Sequence, residues 1–161
     1  MPTYQAPLRD TRFLLNEFLE IGKYRNLPGF ENTTPDLINA ILEEGGRIAE
    51  EVLFPLNQSG DEEGCHFDNG EVSTPKGFKE AYKTFTEGGW AGLVADPDYG
   101  GQGLPRVIGS AFVEMICSAN LSFGTYPGLA SAAYAAIKKH GSDDQKNTYL
   151  PKLANGEWAA P

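Results

Sequence analysis

Apolar residues recur every three or four positions along most of the chain, the period of amphipathic α-helices. Asp10 is placed to cap a first helix, whose broad apolar face lies within residues 13–21 and which Gly22 ends or weakens. A second start follows at Thr34 and Pro35, a typical N-cap and first-turn pair. From there the helical pattern continues to Leu56, which predicts one long helix.

Turn-forming residues then interrupt the helical pattern. Pro55 predicts the end of the long helix, and residues 57–64 are expected to form an acidic, solvated loop. Residues 67–72 contain Asp-Asn-Gly between an aromatic and a β-branched residue, which predicts at most a short hairpin. Thr74 with Pro75 indicates a further helix start, and this amphipathic helix is expected to stop at Gly88.

The second half of the chain predicts three more helices. Pro105 is expected in the first turn of a mostly apolar, buried helix that residues 120–127 break. A second helix runs to a stop at Gly141, and Ser142 with Gln145 forms a capping box for a short third. The pattern as a whole predicts an all-α bundle of about six helices with an irregular crossover in the middle.

That crossover is residues 88–105, GGWAGLVADPDYGGQGLP, which hold six of the chain's 19 glycines. A regular helix through so many glycines is unfavourable, while Trp90, Leu93 and Val94 indicate that the segment is packed. Two interpretations remain open from the spacing. The segment is either a buried bend that fixes two helices, or a place where the backbone approaches another backbone or a ligand.

Composition limits the classes of function. The chain has 161 residues, 40% of them hydrophobic and 22% charged, which fits one soluble globular domain. Its formal net charge of -9 and the absence of a large basic cluster argue against nucleic acid and an anionic membrane surface as partners. Cys65 and Cys117 suit neither a disulfide framework nor a zinc site and are expected to be reduced thiols, so a cytoplasmic location is expected.

Few residues carry recognisable chemistry. His66 and His140 have no second potential ligand at i+3 or i+4 except lone acids or hydroxyls, so no metal site is predicted. The glycine-rich residues 99–103 lack the strand and the Lys-Ser/Thr of a phosphate-binding loop. Glu114 is expected on the exposed edge of its helix rather than buried.

Gly124, Gly128 and Ala132 form a stripe of small residues spaced by four. Such a stripe allows either the close packing of a neighbouring helix or room for a ligand. Helix packing is the favoured interpretation from the residues alone.

Two long segments resemble a known family. The crossover, followed by a helix and by HGSDDQKNTYLPKLANGEWAA (residues 140–160), resembles the N-terminal helical domain of the acyl-CoA dehydrogenases. The opening TYQAPLRDTRFLLNEFLEI (residues 3–21) is similar to the N-terminal extension of a bacterial branch that includes the 3-methylmercaptopropionyl-CoA dehydrogenases. The resemblance divides the chain into an extension (1–33), the helical domain (34–156) and the start of a linker to a β-barrel domain (157–161).

The resemblance implies a much longer flavoprotein, in which this chain is one part. A carboxylate elsewhere in that enzyme removes the α-proton of an acyl-CoA while the β-hydrogen leaves as hydride to FAD, giving a trans-2-enoyl-CoA. An electron-transfer flavoprotein then accepts the electrons, and homo-oligomers are expected. The catalytic base and most of the FAD contacts are expected outside this chain, so the chain alone is predicted to be inactive.

Within this chain, the resemblance implies a wall of the acyl-chain pocket. The wall residues are Gly124, Thr125, Gly128, Leu129 and Ala132, and the glycines and alanine among them predict room for a long, branched or aromatic acyl group. Phe123 and Tyr126 are bulkier and would shorten the pocket if they reached into it.

Other functions stay open. Relatives with altered chemistry on the same fold include flavin-dependent nitroalkane oxidases and DNA-damage-response homologues, of which the net charge disfavours the second. A stand-alone helical interaction module is the alternative from another class. An exposed apolar patch where further domains would dock favours the enzyme over that module.

Overall fold

The computed structural model describes residues 3–159, and within them the chain is a helical bundle with one short hairpin. Counting α2 and α3 as one continuous helix, these residues form six α-helices, so the all-α prediction is confirmed. The elements are α1 (Leu8–Arg12), α2 (Pro35–Arg47), α3 (Pro55–Glu63), β1 (His66–Asp68), β2 (Glu71–Ser73), α4 (Phe78–Glu87), α5 (Arg106–Ala119), α6 (Leu121–His140) and α7 (Asp143–Ala154).

The first helix begins at Leu8, directly after Pro7, so the prediction that Asp10 caps it is wrong. Asp10 lies in the first turn instead, where a carboxylate is favourable near the N-terminal end of the helix dipole. A π-helical turn, Phe13–Phe18, continues α1, and a 3₁₀ turn follows at Ile21–Tyr24. Gly22 lies inside this 3₁₀ turn, so the predicted end of the first helix at Gly22 is wrong.

The long second helix continues past the point where the sequence predicts its end. Thr34 caps α2 as expected, its hydroxyl accepting from Leu37 N–H at 3.2 Å. A π-helical turn, Ile48–Leu53, then leads into α3, so residues 57–63 are helical and the predicted acidic loop is wrong. Proline is tolerated because Pro55 occupies the first position of α3, where its missing N–H costs little.

The predicted hairpin is present. Phe67 pairs with Val72, and Asn69 and Gly70 both have positive φ, as a tight two-residue turn requires. The predicted start of α4 at Thr74 and Pro75 is wrong, because the helix begins at Phe78 after a turn. Its end at Gly88 is confirmed.

The predicted break at residues 120–127 reduces to one residue. Only Asn120 is extended, and its side-chain oxygen caps α6 by accepting from Phe123 N–H at 3.0 Å. Pro127 lies inside α6, giving up one backbone hydrogen bond, and packing of this helix on α5 and α7 keeps it helical. The capping box of Ser142 and Gln145 is confirmed at the start of α7.

Aromatic rings from three helices and the crossover form the centre of the core. Phe85 of α4 stacks on Phe112 of α5 with centroids 6.2 Å apart, and meets Phe123 of α6 edge-on at 5.7 Å. Trp90 of the crossover lies 4.4 Å from Phe112. The crossover is therefore part of the core that positions α5 and α6.

Candidate functional site: the crossover and helix α6

The crossover folds back on itself through backbone hydrogen bonds. Gln102 N–H donates to Gly92 O at 2.9 Å, and Gly103 N–H donates to Ala95 O at 2.8 Å. A Cβ atom at Gly101 would lie 2.1 Å from Ala95 O, so only glycine fits there. Of the two interpretations left open by the sequence, the structure shows an approach of backbone to backbone.

A second close approach joins the crossover to the last helix. A Cβ atom at Gly92 would lie 2.8 Å from Ala154 O of α7. The crossover thus packs against α4, α5 and α7, and its glycines serve packing at the positions where a side chain would collide.

Two neighbouring cavities lie between the crossover and α6. One has a volume of about 410 Å³ and runs towards α7, and the other, of about 280 Å³, runs towards α5. Val94, Arg106, Pro127 and Ser131 line both cavities, so they form one groove along α6. Its floor is largely apolar, and Arg106 and Lys139 lie at its rim.

The stripe of small residues serves two different purposes. A Cβ atom at Gly124 would lie 3.0 Å from Cys117 Sγ, so this glycine lets α6 pack closely on α5. At Gly128 a Cβ atom would meet nothing within 4 Å, and both glycines line the smaller cavity. The structure therefore supports helix packing at Gly124 and open space at Gly128.

The remaining predicted wall residues lie on the outer face of α6. Thr125, Leu129 and Ala132 are exposed, Leu129 to 50%, and their spacing places them on the same side of the helix, beside Gly128. Residues 121–137 contain no charged side chain. A helix that is uncharged all round is typical of one that is covered on both sides.

The two bulkier neighbours do not reach this outer face. Phe123 is fully buried in the aromatic core. Tyr126 contacts Phe123 and Tyr82 on the inner side of the helix, with ring centroids 6.2 and 6.5 Å away. Neither residue therefore narrows the space in front of Thr125 and Gly128.

A polar cluster that the sequence analysis did not anticipate ties the crossover to the C-terminal half of α6. Lys138 Nζ lies 2.7 Å from Asp96 Oδ2, and Asp96 N–H donates to Tyr134 Oη at 2.9 Å. The hydrogen bond from Lys138 holds the pKa of Asp96 below its ordinary value, and burial raises the pKa of Tyr134. The only signal in the sequence is the spacing of Tyr134 and Lys138 by one helical turn.

The other candidates from the sequence play no part in this groove. His66, His140 and Glu114 are all exposed, which confirms the expectation for Glu114. Among residues 3–159, no group of three His, Cys, Asp or Glu side chains is arranged to hold a metal ion. No helix of that range combines the length and apolarity needed to cross a bilayer.

The fold and the sequence define the class of protein. Residues 38–157 match the family described as "Acyl-CoA dehydrogenase, N-terminal domain", and the chain belongs to this family. The resemblance carried by the crossover and residues 140–160 is thereby confirmed.

Individual relatives refine the comparison. The chain is 41% identical to a 3-methylmercaptopropionyl-CoA dehydrogenase of Ruegeria pomeroyi, over 98% of the chain and 27% of that relative. It is 31% identical to a butyryl-CoA dehydrogenase of Syntrophomonas wolfei, over 96% of the chain and 26% of the relative. An isovaleryl-CoA dehydrogenase of Pongo abelii is 27% identical over 76% of the chain and 29% of its own length. The chain therefore spans about a quarter of the length of the relatives it matches.

A solved structure described as "Electron transferring flavoprotein of Acidaminococcus fermentans: Towards a mechanism of flavin-based electron bifurcation" shares the fold. The TM-score is 0.62 at 22% identity, covering 80% of this chain and 31% of the other. At this identity the likeness shows the common fold alone.

Proposed function

We propose that the full-length protein is a flavin-dependent acyl-CoA dehydrogenase that oxidises an acyl-CoA thioester to a trans-2-enoyl-CoA. Its membership of the family supports this reaction, as do the acyl-CoA dehydrogenase names of its relatives. The full-length protein would contain residues 34–156 as its helical domain, residues 1–33 as an extension, and a linker starting at residue 157. Residues 160 and 161 of that linker lie outside the described residues.

In this protein the chain would supply one wall of the acyl-chain pocket. The observation that carries the proposal is the outer face of α6, where Thr125, Gly128, Leu129 and Ala132 are exposed and uncharged. Gly128 has open space in front of it, so an acyl group can lie against the helix backbone there. Gly124 contributes differently, because it brings α6 close to α5 and so fixes the position of the wall.

The wall residues of α6 suit an acyl group better than a flavin. A flavin needs hydrogen-bond donors along its ring edge and around its pyrophosphate, whereas Gly128, Leu129 and Ala132 have no side-chain donor. Lys138 is already engaged by Asp96. We therefore assign most of the FAD contacts and the catalytic base to parts of the protein outside residues 3–159.

The electron acceptor that fits this reaction is an electron-transfer flavoprotein, and we propose a homo-oligomer in the cytoplasm. The family resemblance supports the acceptor and the oligomer. Reduction of a purified electron-transfer flavoprotein by the full-length enzyme and acyl-CoA tests the acceptor, and light scattering tests the oligomer.

The experiment that tests the function measures flavin reduction in the full-length protein by saturated acyl-CoA thioesters of increasing chain length. We expect reduction by at least one thioester and, in a Gly128→Leu variant, a shift of the preference towards shorter chains. Ser118→Leu is the matched control, since Ser118 is an exposed helical residue on α5 rather than α6. An unchanged preference in Gly128→Leu would contradict the wall assignment, whereas no reduction by any thioester would contradict the enzyme and favour an interaction module.

A further inference from the structure

A patch of exposed apolar side chains lies on the turn that follows α1. Phe13 is 50% exposed, Leu14 47%, Phe18 70% and Leu19 42%. These four residues, here called the π-turn patch, belong to two pairs, each spaced by five residues. Leu19 N–H donates to Leu14 O at 2.8 Å, the i to i+5 bond of a π-helix. Residues five apart lie one above the other in such a turn, so the π-helix gathers both pairs on one outward face.

The segment that carries the patch is firmly attached to the bundle. Ala6 N–H donates to Glu50 Oε1 at 2.7 Å, and Arg12 forms an ion pair with Glu43. Leu15, which lies between the patch residues in sequence, and Ile21, which follows them, point inward and are buried. The outward position of the patch is therefore fixed by packing, and no described residue covers it.

Exposed apolar surface held so rigidly is typical of an interface. Covering these four ordered apolar side chains with a partner surface would remove apolar area from water, which is favourable.

The lengths of the relatives point to the partner. The 157 residues matched in the 3-methylmercaptopropionyl-CoA dehydrogenase are 27% of it, which makes that relative about 580 residues long. The 124 residues matched in the isovaleryl-CoA dehydrogenase are 29% of it, or about 430 residues in total. The difference is about 150 residues. The quarter of this chain that the match to the shorter relative leaves out accounts for about 40 of them, and the remaining roughly 110 residues are the size of a domain.

The segment that carries the patch is included in the matches to the longer relatives. The two long relatives match 98% and 96% of this chain, so their matches include the segment that carries the patch. The match to the shorter relative leaves out about a quarter of the chain, and residues 1–37 lie outside the family model. The segment that carries the patch therefore lies within the matches to the two long relatives and outside the family model.

We propose that the π-turn patch is the docking surface for the additional segment of the full-length chain, the part that the longer relatives have and the shorter relative lacks. The segment would present an apolar surface that covers Phe13 and Phe18, and the extension would join it to the helical domain. Docking of this segment does not depend on the reaction proposed above.

Site-specific photo-crosslinking in the full-length protein tests the docking. Benzoylphenylalanine replaces Phe18 in one variant and Phe67 in the control, because Phe67 is similarly exposed, at 75%, but lies on the hairpin. We expect a crosslink from position 18 to peptides of the additional segment within the same chain, identified by mass spectrometry, and none to that segment from position 67. A crosslink between two chains, a crosslink to the domains shared with the shorter relative, or no crosslink at position 18 would each overturn the proposal.

A second measurement does not depend on the crosslinker. Phe18→Glu and Phe67→Glu introduce the same charge at exposed positions, so neither disturbs the core of the helical bundle. In the full-length protein we expect Phe18→Glu to make the additional segment at least tenfold more sensitive to limited proteolysis, with Phe67→Glu unchanged. Equal sensitivity of the two variants would overturn the docking.

Discussion

The backbone of Gly101 lies so close to the carbonyl of Ala95 that a Cβ atom on Gly101 would be 2.1 Å from the Ala95 oxygen. Both partners are backbone, so the collision has no side-chain rotation to relieve it. We expect Gly101→Ala to lower the free energy of unfolding by about 3 kcal/mol or more, a large effect for one methyl group. Urea unfolding of the 161-residue chain, followed by circular dichroism, measures the change.

The neighbouring glycine is the control for that measurement. Gly100 has a φ of +85°, but a Cβ atom there would meet nothing within 4 Å. Gly100→Ala should therefore cost only the left-handed backbone penalty of about 1–2 kcal/mol. Equal losses for Gly100→Ala and Gly101→Ala would show that the approach of the two backbones is not the reason for glycine at 101.

The two glycines of α6 should respond to leucine in opposite directions. Gly128 faces open space, so Gly128→Leu should stabilise the 161-residue chain by about 0.5–1 kcal/mol, because leucine is the better helix former. Gly124 lies against Cys117 and Ile116, so Gly124→Leu should destabilise it by about 1–3 kcal/mol through overpacking. Urea unfolding of both variants tests the contrast, and a loss at Gly128 as large as at Gly124 would contradict it.

Asn120, between α5 and α6, joins the start of α6 to the π-helical turn Ile48–Leu53. Its Oδ1 accepts from Phe123 N–H, and its Nδ2 donates to Leu53 O at 3.1 Å, all in a buried position. Asn120→Ala removes the cap and leaves buried groups unpaired, so we expect a loss of about 2–3 kcal/mol.

Ser142 is the comparison for Asn120, because it caps α7 at the exposed surface. Ser142→Ala should cost about 1 kcal/mol by the same urea measurement, since water can replace the lost hydrogen bond. A smaller loss in Asn120→Ala than in Ser142→Ala would show that burial does not add to the cost of the cap.

The ion pair of Asp96 and Lys138 should make stability depend on pH at both extremes. The pair lowers the pKa of Asp96 from its ordinary 3.8, so its contribution is complete above that value and is lost as the pH falls through the folded-state pKa. It raises the pKa of Lys138 from 10.5, so the contribution is present below 10.5 and is lost as the pH rises through the folded-state pKa.

Between these limits the pair is worth about 1 kcal/mol or less, because both side chains are partly exposed. Asp96→Asn should remove the part of the acid sensitivity that this carboxylate causes. Urea unfolding at acidic, neutral and alkaline pH, compared with the unaltered chain, gives the measurement. An acid profile identical to that of the unaltered chain would contradict the assignment.

Local signals in the sequence predicted some helix boundaries correctly. Thr34 and the pair of Ser142 and Gln145 cap their helices through hydrogen bonds with nearby residues. The residues that form each cap are therefore neighbours in sequence, and the helix start can be predicted from them alone. Pro55 and Pro127 misled the prediction. Pro55 occupies the first position of α3, where its missing N–H costs little, so it does not end the helical stretch. Pro127 lies inside α6 because packing on α5 and α7 outweighs one missing hydrogen bond, and that packing cannot be read from the neighbouring residues.

The candidate site was predicted in part. The small side chains of α6 were visible as a stripe, but spacing alone did not separate Gly124, which meets α5, from Gly128, which meets open space. The contact of Asp96 with Lys138 and Tyr134 joins residues about 40 positions apart and depends on how the crossover folds. The π-turn was equally hidden, because helical periodicity assumes 3.6 residues per turn throughout.

The last described residues are held by several contacts. Tyr82 Oη donates to Gly156 O at 2.9 Å, Trp158 N–H donates to Lys152 O at 3.1 Å, and the Lys152 ammonium lies 4.4 Å from the centre of the Trp158 ring. This stretch is therefore a poor hinge. In the full-length protein a domain attached after it would start from a fixed point and direction, so bending between the two would have to arise further along the polypeptide.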